Sequence, residues 1–408
     1  MTIVTFTIKN YLTHYSGLNR FCWQGIILGF IEAILAAIYY FLSIYFVDVL
    51  HINISIAGMM ISCYGLGTII GGYIGGKLSD NISPQTVTMM SLLSQAITFL
   101  VLIKIVNPTW IAIDLFILGI ATYSFLTSNS VFTLAHCKNS GEDKLKVINI
   151  LAVASNLGMG LAALIIGELA EKNFQYIFYS SGSLLLILAI WLMFQPKQLI
   201  KNENQPTLNK NLLEENLSES AKINANNKGL ILAFICLFFT GMIVSQLSTT
   251  YSIYLKESFP QMGMHAFSFF FFLNTCLVVI FQNSLVNQFS NYNKLIMIGV
   301  GSFLIGFGML LLNFSFFFFI ALLSCVIYSA GEMIFFSIVQ LFCYQQGRDD
   351  RKGSSLGAYR MVYASSRFIG PTVGGSIYYY LGRHSLWYIS GLIGFVFLLL
   401  CNHFRKLS

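Results

Sequence analysis

Residues 294–312 read Lys294-Leu-Ile-Met-Ile-Gly-Val-Gly-Ser-Phe-Leu-Ile-Gly-Phe-Gly-Met-Leu-Leu-Leu312, and no charged residue follows the first lysine. About 20 apolar residues in a helix cross the hydrocarbon core of a bilayer. Comparable runs fill most of the chain, which has 408 residues, 56% of them hydrophobic and only 10% charged. Soluble domains carry about 25% charged residues. The sequence therefore predicts an all-α integral membrane protein, with lipid as the solvent for most of its surface.

Twelve runs are long and apolar enough to be candidate membrane helices. They are 22–47, 54–77, 86–106, 109–133, 147–168, 174–195, 229–254, 264–287, 294–312, 315–343, 354–381 and 384–403. A long polar stretch rich in Asn, Lys, Glu and Ser separates the sixth run from the seventh. We therefore expect an N-terminal six-helix bundle in residues 1–195, a cytoplasmic linker in 196–228 and a C-terminal six-helix bundle in 229–408.

The basic residues lie in short loops and indicate the orientation. With both termini in the cytoplasm, that side receives seventeen Lys and Arg residues and the outside receives four, Lys104, Lys172, Lys256 and Arg383. This distribution predicts a multi-pass protein of the plasma membrane, such as a bacterial inner membrane. The net charge of +7 is spread over these loops, which argues against a nucleic-acid partner.

Two further features exclude other classes of protein. The eight cysteines are scattered and form no CxxC pair, so they predict core packing rather than a metal site or a disulfide framework. The sequence shows no nucleophile–base cluster, metal-ligand spacing or phosphate-binding loop. We expect neither enzymatic activity nor a cofactor.

The two halves resemble each other weakly. A shift of 208 residues superposes Gly167 on Gly375 and brings Lys146 close to Lys352. Membrane proteins built from such repeats bind substrate near the midplane, between the repeats. A central site between the two bundles is therefore expected.

The second candidate helix ends in Gly71-Gly-Tyr-Ile-Gly-Gly-Lys-Leu-Ser-Asp80. Its glycines permit the close approach of a neighbouring helix. The run resembles the major facilitator superfamily, whose loop between helices 2 and 3 carries Gly-x-x-x-Asp-Arg-x-Gly-Arg-Arg, and Gly76 and Asp80 match it. The basic half is replaced by Asn81, Ser83, Pro84 and Gln85. The resemblance implies a conformational role for Gly76 and Asp80, and the alternative is simple helix packing with a capped loop.

The fifth and eleventh candidate helices carry a second pattern. Ser155-Asn-Leu-Gly-Met-Gly-Leu-Ala-Ala-Leu-Ile-Ile-Gly167 and Gly370-Pro-Thr-Val-Gly-Gly375 resemble a stretch of the drug–proton antiporter branch, and proton-coupled oligopeptide transporters more distantly. A proline inside a helix bends it, while the glycines allow tight contact. Gly370 and Pro371 are therefore expected to take part in a rocking motion.

Ionisable residues inside the bilayer are costly and usually functional. Glu32 and Glu332 lie near the middle of helices 1 and 10, and Arg360 and Arg367 lie seven residues apart on one face of helix 11. We expect Glu332, and next Glu32, to couple transport to protons, because a buried carboxyl can exchange a proton between the two sides. The alternative is a structural ion pair, for example Glu332 with Arg367. Asp114 is expected at the membrane interface.

Uncharged cavity candidates complete the predicted site. Besides Arg360 and Arg367, they are Tyr39, Tyr40, Asn129, Asn156, Gln246, Tyr251, Asn274 and Gln340. Such residues either contact substrate or bond neighbouring helices. The phenylalanine-rich run 269–272 is expected to face lipid or to fill the core.

The features together predict a monomeric, proton-coupled transporter of a small organic molecule that works by alternating access, with the proton gradient in place of a cofactor. The antiporter-like patterns favour export. The first rival is an importer of a nutrient, peptide or metallophore, because the charges also suit an anionic or zwitterionic substrate. The second rival is a membrane scaffold or receptor, which has no reason to keep four charges inside the membrane.

Overall fold

The computed structural model describes residues 18–136, 141–195, 228–289, 292–315, 317–346 and 352–405. Twelve long helices follow one another within these ranges. They are α1 (Arg20–Ala36, continued by turns to Val49), α2 (Ile54–Asn81), α3 (Pro84–Leu102), α4 (Pro108–Ala135), α5 (Gly141–Lys172), α6 (Phe174–Met193), α7 (Lys228–Ser245, then Gln246–Ser248 and Thr250–Ser258), α8 (Met264–Phe289), α9 (Lys294–Leu311), α10 (Phe318–Gln346), α11 (Lys352–Leu381) and α12 (Arg383–His403).

Asparagine caps set several of the helix starts. The side chains of Asn53, Asn107, Asn173 and Asn293 each accept a hydrogen bond from a backbone N–H in the first turn of α2, α4, α6 and α9. An Asn side chain at this position satisfies one of the free N–H groups that begin a helix. Each cap lies in a short polar interruption between two apolar runs, so the caps fix where one span ends and the next begins.

Eleven of the described helices are long and apolar enough to cross a membrane. The exception is α11, whose 30 residues include Lys352, Arg360 and Arg367. Its length matches that of its neighbours, and it packs against α2 and α7 in the same layer. The predicted fold of twelve membrane helices is confirmed, with most bounds within a few residues. The largest difference is at α5, which begins at Gly141 rather than at 147.

Helix α7 is broken where the sequence predicts a continuous span. A 3-10 turn at Gln246–Ser248 separates its two parts. The Gln246 side chain accepts hydrogen bonds from the hydroxyls of Thr249 and Thr250 and donates one to the carbonyl oxygen of Gly370 on α11. These bonds hold the break together. Helix α1 carries a 3-10 turn at the corresponding place, Ala37–Phe41.

The helices pack mainly within each half of the chain, and a few pairs meet across the halves. Helix α11 packs along α2, and α8 packs along α5. The first and second halves are joined in sequence by residues 196–227, which lie outside the described residues together with 1–17. The predicted division at 195 and 229 therefore stays a prediction.

One face of the molecule is sealed where α1 and α7 meet; we call it the closed face. Lys256 forms an ion pair with Asp48, and Ser43 shares a 2.9 Å hydrogen bond with Ser252. The two pairs join residues 208 and 209 positions apart. The internal repeat thus brings equivalent parts of the two halves together on this face.

Candidate functional site

Arg367 lies midway along α11 and reaches across to the first half of the chain. Its Nη1 atom donates a 3.0 Å hydrogen bond to the hydroxyl of Tyr123 on α4. The phenol groups of Tyr39, Tyr40 and Tyr363 also lie close enough to interact with the charge of the guanidinium. Arg367 is only partly buried although it sits in the centre of the fold. It therefore faces an internal space between the two halves.

Aromatic side chains from both halves form the walls of this space. Tyr39 stacks on Tyr64 with ring centroids 4.0 Å apart, and Tyr40 packs on Phe271 at 4.7 Å. On the opposite wall, the ring of Phe336 meets Tyr363 edge to face at 4.9 Å. We call this set the central cluster: Tyr39, Tyr40, Tyr64, Tyr123, Phe271, Asn274, Glu332, Phe336, Tyr363 and Arg367.

Glu332 on α10 is the acidic member of the central cluster. Its Oε2 atom accepts a 3.1 Å hydrogen bond from Asn274 on α8, and Asn274 also donates to Ser329 at 2.8 Å. The neighbouring Gly331 packs against the α9 backbone at Ile305, so α10 turns the Glu332 side chain towards α8. Glu332 as a residue is partly buried, and its carboxyl is held by a neutral amide.

Glu332 and Arg367 do not form an ion pair with each other. Among the described residues, no carboxylate oxygen lies within 4.0 Å of the Arg367 guanidinium, and none of the Lys, Arg or His nitrogens lies that close to Glu332. Tyr40 and Tyr363 lie close to both groups. Within the part of the chain that the structure describes, these two groups are therefore not paired with each other in this state, and the central cluster contains one guanidinium and one carboxyl.

Glu32 lies apart from the central cluster, inside the first half. It is 2% exposed, and its Oε1 atom has no hydrogen-bond partner among the described residues. Gln95 of α3 lies beside it, and both polar atoms of that side chain are also without a partner there. Asp114, expected at the interface, is 6% exposed and buried in α4. From the sequence alone, both Glu32 and Glu332 are candidates for proton coupling, with Glu332 first, and the packing places them in different surroundings.

Three of the predicted cavity residues form contacts that hold the helices together. Gln246 secures the break in α7, and Asn129 donates a 2.9 Å hydrogen bond to the Gly25 carbonyl oxygen on α1. Tyr251 is fully buried among Tyr328 and Trp387 of the second half. The structure does not bring these three side chains to the central cluster.

The other predicted residues divide into two groups. Tyr39, Tyr40, Asn274, Glu332 and Arg367 come together in the central cluster. Arg360 and Gln340 are exposed, and Asn156 is partly exposed on α5, so their contact with substrate stays a prediction.

The residues of the predicted conformational motif lie on α2 and α11. Gly76 lies near the end of α2, and a Cβ there would meet only Thr127, at 3.7 Å. Asp80 lies in the last turn of the same helix, but its side chain falls outside the described residues. Gly370 and Pro371 lie within α11, which continues through the proline.

Sequence reasoning missed Tyr64, Tyr123, Phe271, Phe336 and Tyr363. A signal existed for Tyr363, because it precedes Arg367 by one helical turn and so shares its face. No local pattern marks Tyr64 or Tyr123, whose contacts are with distant parts of the chain. Within the phenylalanine-rich run 269–272, Phe271 packs on Tyr40 of the central cluster.

A family model described as Major Facilitator Superfamily matches residues 25–371. The chain is 25% identical over 359 residues to the uncharacterized MFS-type transporter YttB of Bacillus subtilis (strain 168), with 84% of each chain covered. It is 21% identical to the uncharacterized MFS-type transporter YqjV of the same organism, covering 82% of this chain and 80% of that protein.

Solved structures are similar in fold at low sequence identity. The nucleoside transporter NupG matches with a TM-score of 0.81 and 17% identity, covering 94% of this chain and 99% of that one. A POT family transporter in complex with 5-aminolevulinic acid matches with a TM-score of 0.76 and 15% identity, covering 97% and 98%.

Proposed function

This chain belongs to the major facilitator superfamily and is a membrane transporter, and from that premise we propose that it couples the passage of a small organic molecule to protons. The observation that carries the proposal is that Arg367, which has no carboxylate partner among the described residues, and the partly buried Glu332 both belong to the central cluster. Arg367 binds the substrate and Glu332 carries the proton. One structural relative is titled a proton dependent oligopeptide transporter, which supports proton coupling by similarity of fold.

Alternating access follows from the position of the contacts between the halves. The bundles, residues 1–195 and 229–408, rock about the central cluster. In the state described, α1 and α7 seal the closed face. Because the loops on that side carry only four basic residues, we take the closed face to be the outside of a bacterial plasma membrane. When the two bundles rock apart on this face, these contacts break and the central cluster becomes accessible from the outside.

Coupling follows from the charges in the shared space. With Glu332 protonated, the space carries the single positive charge of Arg367 and attracts an anion. With Glu332 ionised, the net charge is zero and the attraction weakens. An anion and a proton therefore favour each other's binding, and this effect is reciprocal. A transporter that binds both together moves them in the same direction.

The direction of transport can also be proposed from the charges of Arg367 and Glu332. Co-binding of anion and proton favours import driven by the inward proton gradient, which is the first rival that the sequence leaves open. The glycine patterns of α5 and α11 favour exchange and hence export. A cationic substrate that competes with the proton for Glu332 would be exchanged for protons at the same site. Export of a cation is therefore the second candidate function.

Glu332→Gln tests the proposal in reconstituted vesicles. Gln keeps the shape and can still bond Asn274, but it cannot titrate. A radiolabelled ligand, found by thermal shift among organic anions and cations, is followed in two assays. We expect Glu332→Gln to abolish accumulation driven by a pH gradient, while exchange without a gradient continues. The matched control is Glu32→Gln, which alters the buried carboxyl of the first half and should leave both activities intact.

The pair of variants separates the possible results. Accumulation by Glu332→Gln at the wild-type rate would remove Glu332 from the coupling. Loss of accumulation by Glu32→Gln alone would transfer the role to Glu32.

A further inference from the structure

The central cluster combines a single cation with an unusual density of aromatic rings. Four tyrosine phenols lie close enough to the Arg367 guanidinium to interact with its charge, and that of Tyr123 accepts a 3.0 Å hydrogen bond from it. Two phenylalanines, Phe271 and Phe336, extend the walls towards Asn274 and Glu332. Building on the proposed function, we propose that the substrate is a planar aromatic molecule that carries one negative charge, such as a carboxylate.

The charge of the ligand follows from the state of Arg367. A guanidinium presents several N–H donors in a plane and matches a carboxylate in a bidentate fashion. In this structure one of its nitrogens bonds the neutral hydroxyl of Tyr123, and no described carboxylate lies within 4.0 Å. A cation at membrane depth is costly without a counter-charge. The substrate supplies that counter-charge.

The planarity of the ligand follows from the walls. Tyr40, Tyr123, Phe336 and Tyr363 are each only partly buried, so their rings are available to a ligand. Aromatic rings gain from stacked or edge-to-face contacts in addition to the area that they bury. The phenol hydroxyls lie near the guanidinium, so the charged end of a ligand would bind there while its ring extends between the walls.

The end of the site beside Glu332 provides polar groups, and within the described residues no Lys, Arg or His nitrogen lies within 4.0 Å of that carboxyl. Asn274 and Ser329 bond each other beside Glu332. A protonated Glu332 is neutral and can donate a hydrogen bond to a hydroxyl or ring nitrogen of the ligand. The site therefore favours a monoanion over a dianion.

Binding of four matched probes to the purified full-length protein tests the proposal without any gradient. The probes are 2-naphthoate, its neutral amide, the saturated decahydronaphthoate and the cation 2-naphthylmethylammonium. Isothermal calorimetry at a pH near 6 gives the affinities. We expect 2-naphthoate to bind at least about tenfold more tightly than the amide and the cation, as a charge-assisted hydrogen-bond pair implies. It should bind roughly fivefold more tightly than the saturated acid, which keeps the carboxylate but loses the aromatic contacts.

Two variants locate the effect. Arg367→Gln should weaken 2-naphthoate by about tenfold or more and leave the amide unchanged. Tyr40→Leu should reduce the difference between the aromatic and the saturated acid. Arg383→Gln removes a guanidinium on the closed face, where Glu257 lies 3.9 Å away, and should change none of the affinities.

Each contrary result overturns a stated part of the proposal. Equal binding of acid and amide would show that charge is not recognised, and equal binding of the saturated acid would show that the ring is not. Preference for the cation, or no binding of any probe at millimolar concentration, would overturn the class altogether. Selective binding of 2-naphthoate without accumulation by a pH gradient would leave the class standing and contradict the proposed coupling. Accumulation of a cation driven by a pH gradient, with no binding of the anion, would support the proposed coupling and contradict the ligand class.

Discussion

The crossings α2–α11 and α5–α8 both join the first half of the chain to the second and are related by the internal repeat, but they are held in different ways. At the first, Gly58 faces the carbonyl oxygen of Pro371, and Gly65 faces that of Arg367, so backbone meets backbone. Since Pro371 lacks an N–H, it cannot bond the Arg367 carbonyl within the helix. Ser62 shares a 2.7 Å hydrogen bond with Thr372 nearby. This crossing contains neutral groups.

At the second crossing, glycines meet side chains, and the end is charged. Gly160 faces the Thr275 side chain, and Gly167 faces that of Ser268. Beyond them, His265 lies 3.2 Å from Glu171 and 3.7 Å from Glu168. At the corresponding place in the first crossing, Ser55 and Ser376 share a 3.1 Å hydrogen bond. The helices approach closely at both crossings. The first is made by backbone and neutral groups, whereas the second is made by side chains and ends in charged groups.

The largest expected effect is that of Gly58→Ala. A Cβ at this position would overlap the backbone carbonyl of Pro371. A backbone group cannot move aside by side-chain rotation. Such overpacking costs about 1–3 kcal/mol, and the crossing should open. We expect roughly tenfold slower disulfide formation between cysteines placed at Ser62 and Thr372, in a background whose native cysteines are replaced, and a comparable loss of transport.

Two matched variants sharpen this result. Gly72→Ala lies on the same helix with no neighbouring atom within 4 Å of the new Cβ, and it should behave like the wild type. At Gly160→Ala the nearest atoms to the new Cβ belong to the Thr275 side chain, the first at 2.8 Å, rather than to backbone, so a loss of less than about threefold is expected. Equal effects of Gly58→Ala and Gly160→Ala would mean that the two crossings do not differ in rigidity.

A smaller effect is expected from His265→Gln. The imidazole Nε2 of His265 lies beside Glu168 and Glu171 of α5 and so links α8 to α5 at this end of the crossing. Lys172, 3.6 Å from Glu168, competes for that carboxylate. Removing the imidazole should therefore loosen this end and speed the labelling of a cysteine at Thr275, by less than about fivefold because the groups are exposed.

The matched variant Ser55→Ala, at the equivalent neutral contact, should leave the labelling rate at Thr275 unchanged. A wild-type labelling rate in His265→Gln would show that the contacts of His265 do not hold this crossing together.

The same contrast shows what the sequence can predict. Apolar runs, asparagine caps and the 208-residue echo are local or periodic signals, so the helices could be predicted within a few residues. The break in α7 could not, because the bonds of Gln246 to Gly370 join positions 124 residues apart. Likewise, hydropathy cannot show that Glu32 lies beside Gln95 while Glu332 faces the central cluster. That distinction depends on which face of each helix packs inwards.

Equivalent positions in the two halves explain part of this difficulty. The shift of about 208 residues that relates the halves places Thr240 and Ser302, which share a 2.8 Å hydrogen bond, where Glu32 and Gln95 lie in the first half. In the second half, two neutral hydroxyl groups that are hydrogen-bonded to each other therefore occupy the place of the carboxyl and amide of the first half. Its acid, Glu332, lies on a different helix, next to the internal space.

Proton uptake on ligand binding tests the central claim most directly. Purified wild-type protein in weakly buffered detergent solution is mixed with 2-naphthoate, and an indicator dye records the change in pH. Because the anion and the proton on Glu332 favour each other, we predict uptake of up to about one proton per bound anion, and no uptake by Glu332→Gln, which still binds. Proton release on binding, or equal uptake by the two proteins, would contradict the account.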